Sequence, residues 1–303
     1  MRAQHLVSVS GGKDSTAVYL LAIESGRPFR AVFADTGNEH ESVYEYVAGL
    51  HEKTGGPKVE TVRADFSKQL ARHRDYILKV WPLEGIPDEI VNEAAALHEP
   101  TGNPYLDLCI SKGRFPSRMA QFCTDELKVI PITTQIVGSM LKAGPVLQWI
   151  GIRADESPLR AKQPRFNRHE SGSTLWRPIF NWSINDVWAQ HKKHGIAPNP
   201  LYAMGMSRVG CMPCINCNKA EVKKISELFP DHVDRIERWE KIVSSASKLR
   251  GATFFPPIRR PIPNSIRAVI DWSKSGRGKW KGQAGAGCTS DLGLCEKEAT
   301  KEA

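Results

Sequence analysis

Two short stretches of this chain hold residue types that could do chemistry. In "SGGKDS", Ser10 to Ser15, two glycines, a lysine and an aspartate sit between hydroxyls where a strand pattern gives way to a helix pattern. The first turn of a helix has unpaired N–H groups and a partial positive charge, so it holds anions readily. Gly11 and Gly12 let the backbone approach phosphate oxygens with no Cβ in the way, Lys13 adds a full charge, and Ser10 and Ser15 offer hydroxyl donors. Asp14 and Asp35 are candidate ligands for Mg2+ on the phosphates, although Asp14 equally suits a helix start. The spacing is not the G-x-x-x-x-G-K-[ST] loop of the common nucleotide hydrolases.

In "GCMPCINCNK", Cys211, Cys214 and Cys217 have C-x2-C-x2-C spacing, which lets three thiolates converge on one metal centre. A structural zinc site usually has two separated C-x2-C pairs, or a pair with histidines, and neither is evident. A tight triplet with a remote fourth cysteine suits a [4Fe–4S] cluster; Zn2+ is the alternative. With three protein ligands only, one iron would be open to hold sulfur, and a tail cysteine such as Cys295 could serve in persulfide transfer. Cys288 and Cys295 are rival fourth ligands, and Cys109, with no motif around it, reads as structural. The nine histidines show no HExxH-like pairing, so none is assigned a catalytic role.

The remaining composition bounds the function. A net charge of +9 suits a polyanionic partner. Much of the excess lies in Arg250, Arg259, Arg260, Arg267, Lys274, Arg277, Lys279 and Lys281, opposed by Asp271 alone. Trp272 and Trp280, interleaved there, can stack on bases, so the carboxy-terminal region is a candidate DNA or tRNA surface, with a solvated basic tail as the plain reading. No run approaches a membrane span, and the amino end enters a strand pattern directly, so a soluble, cytoplasmic protein with no membrane partner is expected. Reduced cytosolic thiols make the seven cysteines poor candidates for a disulfide framework.

The elements that must position these residues alternate. Strand patterns at Gln4 to Ser10, Phe29 to Asp35, Lys58 to Val62 and Val146 to Ile152 are interleaved with helical ones at Ser15 to Ser25 and His40 to Lys53. That alternation predicts an α/β fold, a parallel twisted sheet with helices on both faces. Residues 80–118 are proline-rich with little periodicity and read as an insertion or mobile loop. Helical character returns at Asp125 to Leu141. Ser183, with Asp186 three residues on, is a predicted helix cap, and Gly195 a stop. Ala220 to Leu228 and Asp231 to Leu249 read as helices. Trp149, Trp176, Trp182 and Trp188, with apolar neighbours, read as core.

The full hexapeptide resembles the pyrophosphatase (PP) loop of ATP pyrophosphatases, which adenylate a substrate and release pyrophosphate. Further stretches resemble the branch holding phosphoadenylylsulfate (PAPS) reductase, the ATP sulfurylase small subunit, FAD synthetase and the sulfurtransferase of DNA phosphorothioation. They are "VFADTGNEHESVYEYV" (32–47), "FCTDELKVIPI" (122–132), "GIRADESPLRA" (151–161) and "WRPIFNWSINDVW" (176–188), in family order from residue 5 to about 220. The resemblance implies an adenine nucleotide alpha hydrolase-like, Rossmann-like fold. It also implies Asp35 and Thr36 beside the nucleotide, and Gly151, Arg153, Glu156 and Arg160 in a segment whose arginines neutralise phosphate oxygens. Cys123 becomes the favoured fourth cluster ligand, because related proteins pair a cysteine at this place with a later cysteine group. The chain departs from true reductases in two respects: its loop is complete, and its tail, "GCTSDLGLCEK", lacks their E-C-G-[LI]-H motif.

The expectation is therefore a PP-loop ATP pyrophosphatase over residues 1–180, followed by a helical, cysteine-rich, basic region over 181–303. Lys13, Asp14, Arg153 and Cys295 are its candidate catalytic residues. ATP, Mg2+ and a [4Fe–4S] cluster are the expected cofactors, with nucleic acid, a sulfur donor protein and a second copy of the chain as possible partners. PAPS or adenylyl sulfate reduction is the alternative; a zinc-containing, nucleic-acid-binding adenylate sensor is the second.

Overall fold

The computed structural model describes residues 2–255 and 265–276. Cys288, Cys295, Trp280 and the basic residues Arg259, Arg260, Arg277, Lys279 and Lys281 lie outside them. Six strands form one sheet: β1 (Gln4–Ser8), β2 (Phe29–Asp35), β3 (Val59–Arg63), β4 (Val146–Trp149), β5 (Phe166–Arg168) and β6 (Thr174–Trp176). Their spatial order is β3-β2-β1-β4-β6-β5, and only β5 runs antiparallel. The chain leaves β1 towards β2 and β3, then returns to the other side of β1 with β4, which makes the carboxyl ends of these central strands the natural ligand crevice.

Strand periodicity divides the core into two layers. Leu6, Val32 and Ala34 face one side, against Ile132, Ile136, Val137 and Met140. Val7, Val9, Ala31 and Phe33 face the other, where one apolar cluster continues through Val18, Tyr46, Tyr105 and Trp239. Each fully buried aliphatic or aromatic side chain contributes about 1.5–3 kcal/mol, so burial on both faces accounts for the nearly continuous apolar runs of β1 and β2.

Helix α1 (Lys13–Glu24) follows β1 directly, with Gly12 at its N-cap and buried residues all round it. The expected helix over His40 to Lys53 is two helices, α2 (Glu41–Ala48) and α3 (Leu50–Thr54), meeting at Gly49. The proline-rich stretch is not a mobile loop: it holds α4 (Ser67–Val80), extending into it, then α5 (Asp88–Leu97) and α6 (Pro104–Lys112). Pro87 and Pro104 sit at helix starts, where the missing N–H costs nothing, and Asn103 caps α6 through Leu106 N–H.

A long helical run, α7 (122–143), contains two π-helical turns around Pro131. Proline has no N–H for the ladder, which explains a loosened winding there. After α8 (Pro158–Ala161), Ser183 and Asp186 form the expected capping box of α9 (Ile184–Lys193), which packs along α1. The described remainder is helical: α10 (Pro200–Ala203), α11 (Lys219–Leu228), α12 (Pro230–Ser245) and α13 (Ile266–Lys274). Among the described residues no helix is long and apolar enough to cross a membrane.

Candidate functional site

The Ser10–Ser15 turn is a tightly bonded unit. Ser15 Oγ accepts from Ser10 N–H at 3.0 Å, and the two hydroxyls are 3.0 Å apart. Gly11 has φ +76°, and a Cβ there would lie 2.9 Å from Val43 Cγ1. Gly151, just after β4, is held equally close: its Cβ would come 2.9 Å from Ser15 N. Gly11 is therefore required by its left-handed φ and Gly151 by the close approach of the Asp14–Ser15 backbone.

Behind the turn lies a buried charge relay. Asp14 Oδ1 accepts from Arg153 Nε at 2.5 Å and Oδ2 from Lys13 Nζ at 2.9 Å. Arg153 is fully buried, and its Nη2 has no hydrogen-bond partner among the described residues. Burial works to raise the Asp14 pKa, but Lys13 and then Arg153 outweigh it, so the carboxyl is held below its ordinary value. Both Asp14 oxygens are engaged, so its place here is that of a counterion to two cations. Asp35 is similarly occupied: Oδ1 accepts from Gly37 N–H and the Tyr44 hydroxyl, and Oδ2 from Arg63 Nε. Arg160 pairs with Glu156, whose other oxygen accepts from Arg153 N–H.

Two residues with no sequence signal complete the turn. Tyr202 on α10 accepts a 2.9 Å bond from Lys13 N–H, and His191 on α9 has its Nε2 2.9 Å from the Lys13 carbonyl. Tyr202 thus stands where an anion's oxygen would meet the helix start. A small cleft opens alongside, lined by Ser10, Ala34, Glu39, Lys128 and Gly210 among others. Glu39 and Lys128 stand inside the stretches 32–47 and 122–132 quoted above, but neither is assigned a role of its own there.

The cysteine loop docks on this cleft. Glu39 and Cys211 form a bridge, Met212 N–H donates to the Asn38 carbonyl at 2.7 Å, and Asn38 Nδ2 donates to the Pro213 carbonyl at 2.9 Å. Cys211 Sγ lies 3.5 Å from Thr36 Oγ1 and donates to Glu39 Oε1 at 3.6 Å. Within the loop, Asn216 N–H donates to Cys214 Sγ and Cys214 N–H to Cys217 Sγ, while Arg208 Nη2 is 3.5 Å from Cys217 Sγ. Arg118 braces the loop by donating to the Cys217 carbonyl at 2.9 Å.

Cys123 lies in the first turn of α7; burial first, and then Cys109, Cys123, Cys211 and Cys214, push the pKa of the Tyr105 hydroxyl up. Cys109 is fully buried in the apolar cluster, consistent with a structural part. The Tyr105 hydroxyl is buried with no hydrogen-bond partner among the described residues, an arrangement that costs about 1–3 kcal/mol when no acceptor arrives.

N–H donors to sulfur and a nearby guanidinium fit thiolate ligands of a metal centre. Three thiolates 2.3 Å from one zinc would stand about 3.8 Å apart. Among the described residues no three cysteine sulfurs lie within 4.8 Å of one another. His40, Glu41 and His232 do come that close, but the two imidazoles are stacked 9° from parallel and 5.1 Å apart, so their nitrogens do not aim at one point.

Of the basic carboxy-terminal residues, Arg267 pairs with Asp234 and Glu237, Arg250 pairs with Glu93, and Trp272 lies under Lys219 Nζ. Trp149 is core as expected, Trp176 and Trp182 are half-buried and pack against the same core, and Trp188 is half-buried.

The family model described as "Phosphoadenosine phosphosulfate reductase domain" matches residues 4–217, ending on the last cysteine of the loop. An uncharacterized 37.8 kDa protein of Escherichia phage 186 is 43% identical over 270 residues, covering 85% of this chain and 80% of that relative. An uncharacterized nin region protein of Escherichia phage lambda is 31% identical over 226 residues, covering 73% and 68%. The adenosine 5'-phosphosulfate reductase of Bacillus pumilus is 22% identical over 215 residues, covering 70% and 73%. Among solved structures, a PAPS reductase from Candida auris in a phosphate complex aligns with TM-score 0.44 at 17% identity, covering 71% and 84%. With the matched span running from β1 through the turn, the cleft and the cysteine loop, this chain belongs to the phosphoadenosine phosphosulfate reductase domain family.

Proposed function

We propose that the chain binds ATP across the strand ends, activates a substrate oxygen as its adenylate, and passes that adenylate to sulfur chemistry at the cysteine loop. The substrate oxygen attacks the α-phosphorus, the bond to the β-phosphate oxygen breaks, and pyrophosphate leaves with Mg2+. Sulfur at the sulfide level then attacks the activated atom and AMP departs with the oxygen, so the sequence needs no net electrons.

Each residue's part follows from its position. The Gly11–Lys13 amides would hold the terminal phosphates, and Lys13 and Arg153 would stabilise the charge gathering on pyrophosphate. Because Asp14 holds both cations at rest, an incoming polyphosphate competes with that carboxylate for them. Cys123, Cys211, Cys214 and Cys217 would hold a [4Fe–4S] centre; with only three of them as ligands, the fourth iron would be open to carry sulfur. The proposed acceptor is nucleic acid, DNA or tRNA, reached through the basic carboxy-terminal region, with sulfur delivered by a donor protein.

The observation that carries this reading is the 3.5 Å approach of Cys211 Sγ to Thr36 Oγ1, which gives the thiol loop and the nucleotide cleft a common wall. The test is pyrophosphate release from ATP, with and without DNA or tRNA, by protein purified without oxygen. Lys13→Ala should abolish release and keep the iron, whereas Cys214→Ser should lose the iron. Unchanged release in Lys13→Ala overturns the loop assignment.

The second reading, reduction of an adenylyl sulfate, is favoured by the curated relatives named adenosine 5'-phosphosulfate reductase. Sulfite formed from that nucleotide with a thiol reductant, and no pyrophosphate from ATP, would decide for it.

A further inference from the structure

We infer that Tyr202 is a built-in stand-in for phosphate: its hydroxyl occupies the Lys13 amide, and an incoming phosphate oxygen must displace it. The inference rests on the ATP reading above and concerns a residue outside both the nucleotide turn and the cysteine motif.

Helix α1 starts without a cap of its own. Gly12 at its N-cap offers no side chain, where Ser, Thr, Asp or Asn usually supplies an acceptor. The acceptor comes instead from Tyr202 on α10, 189 residues away, whose hydroxyl takes the Lys13 N–H at 2.9 Å. The same ring lies 5.7 Å from Lys13 Nζ, so one side chain engages both the amide and the ammonium that phosphate would use. Asp14, the next residue, holds Arg153, whose buried Nη2 has no hydrogen-bond partner among the described residues and would be satisfied by an anion.

What can yield is the side chain, because the backbone on either side is anchored. Leu201 is fully buried, Asn199 Nδ2 donates to the Ser42 carbonyl at 3.2 Å, and Gly205 and Ser207 are tied to Lys224 and Glu221 of α11. Tyr202 itself is half-buried, edge-on to Trp188 at 5.5 Å. Rotation about its side-chain bonds frees the amide and leaves α10 in place. A phosphate oxygen wins the exchange, since a charged acceptor bonds an N–H roughly twice as strongly as a neutral one. The nucleotide still gives up part of its affinity to the state in which the hydroxyl fills the turn.

The experiment measures, by calorimetry, the binding of ATP, pyrophosphate and adenosine to wild type and to Tyr202→Phe, which keeps the ring and loses the hydroxyl. The expected result is ATP and pyrophosphate bound about two- to tenfold more tightly by Tyr202→Phe, the range of one ordinary hydrogen bond, with adenosine unchanged. Equal or weaker binding of ATP and pyrophosphate by Tyr202→Phe overturns this inference alone, and so does an equal gain for adenosine, which has no phosphate to compete. Wild type that binds neither ATP nor pyrophosphate overturns it together with the ATP reading. Should Tyr202→Phe not fold, a crystal structure of wild type with pyrophosphate decides. A phosphate oxygen on Lys13 N–H, with the Tyr202 hydroxyl moved out of hydrogen-bond reach, supports the inference; a hydroxyl still on that amide overturns it.

Discussion

Cys211 Sγ lies 3.5 Å from Thr36 Oγ1, although 175 residues separate them along the chain. Neither residue makes that approach on its own. The contact is held by Asn38, fully buried, whose side chain donates to the Pro213 carbonyl and accepts from Arg235 Nη2 at 3.0 Å.

Replacing that amide should therefore loosen the cysteine loop. Asn38→Ala removes the donor to the Pro213 carbonyl and one acceptor of Arg235, which keeps its bond to the Met212 carbonyl, at a cost of about 2–3 kcal/mol. A fall of that size in urea-unfolding stability, together with reduced metal content, is the expected result. A wild-type midpoint with full metal loading would show that the loop is held by something else.

Gly151→Ala probes the nucleotide turn without touching a charge. The added Cβ would meet Ser15 N at 2.9 Å and Asp14 C at 3.0 Å, and backbone cannot swing aside as a side chain does. ATP affinity, measured by calorimetry, should weaken about tenfold or more, equivalent to about 1.4 kcal/mol. Metal content should be unchanged, because Gly151 abuts the turn and not the loop.

Stability should fall in two stages as pH is lowered. His191 and His98 are held below their ordinary pKa, in each case chiefly by burial. The stability they confer is present above about 6.5, the value in the unfolded chain, and is lost as pH falls through their folded values. Asp14, lowered by Lys13 and Arg153 against the effect of burial, follows the same sign in a lower window, starting near about 3.9. Urea midpoints across pH 7 to 3 should show both declines. His191→Gln, which keeps a donor for the Lys13 carbonyl, should lessen the first, leaving the share of His98, and leave the second.

Cys217 should be a thiol at neutral pH whenever no metal is bound. Burial, assisted by Glu221 and Cys214 and opposed by Arg208, pushes its pKa up to about 12. Metal-free protein should therefore label slowly at Cys217 with iodoacetamide, as read by mass spectrometry. Metal binding should release its proton, giving heats that depend on the ionisation enthalpy of the buffer. Rapid labelling of Cys217 at pH 7 would contradict the assignment.

What the sequence determined is what short-range chemistry encodes. The Ser10–Ser15 turn, the strand of Phe29–Asp35 and the Ser183–Asp186 capping box were legible because glycine freedom, alternation and capping act within a few residues. The cysteine triplet was legible by spacing alone. The helices at Asp88–Leu97 and Pro104–Lys112 were not, because prolines that start a helix look in sequence like prolines that break one.

Tertiary structure decided the rest. It joined Arg153 to Asp14 across 139 residues and brought Tyr202 to the Lys13 amide. These partnerships follow from how sheet order and helix packing close the chain on itself, and no local pattern records which distant residue a buried charge or hydroxyl will meet.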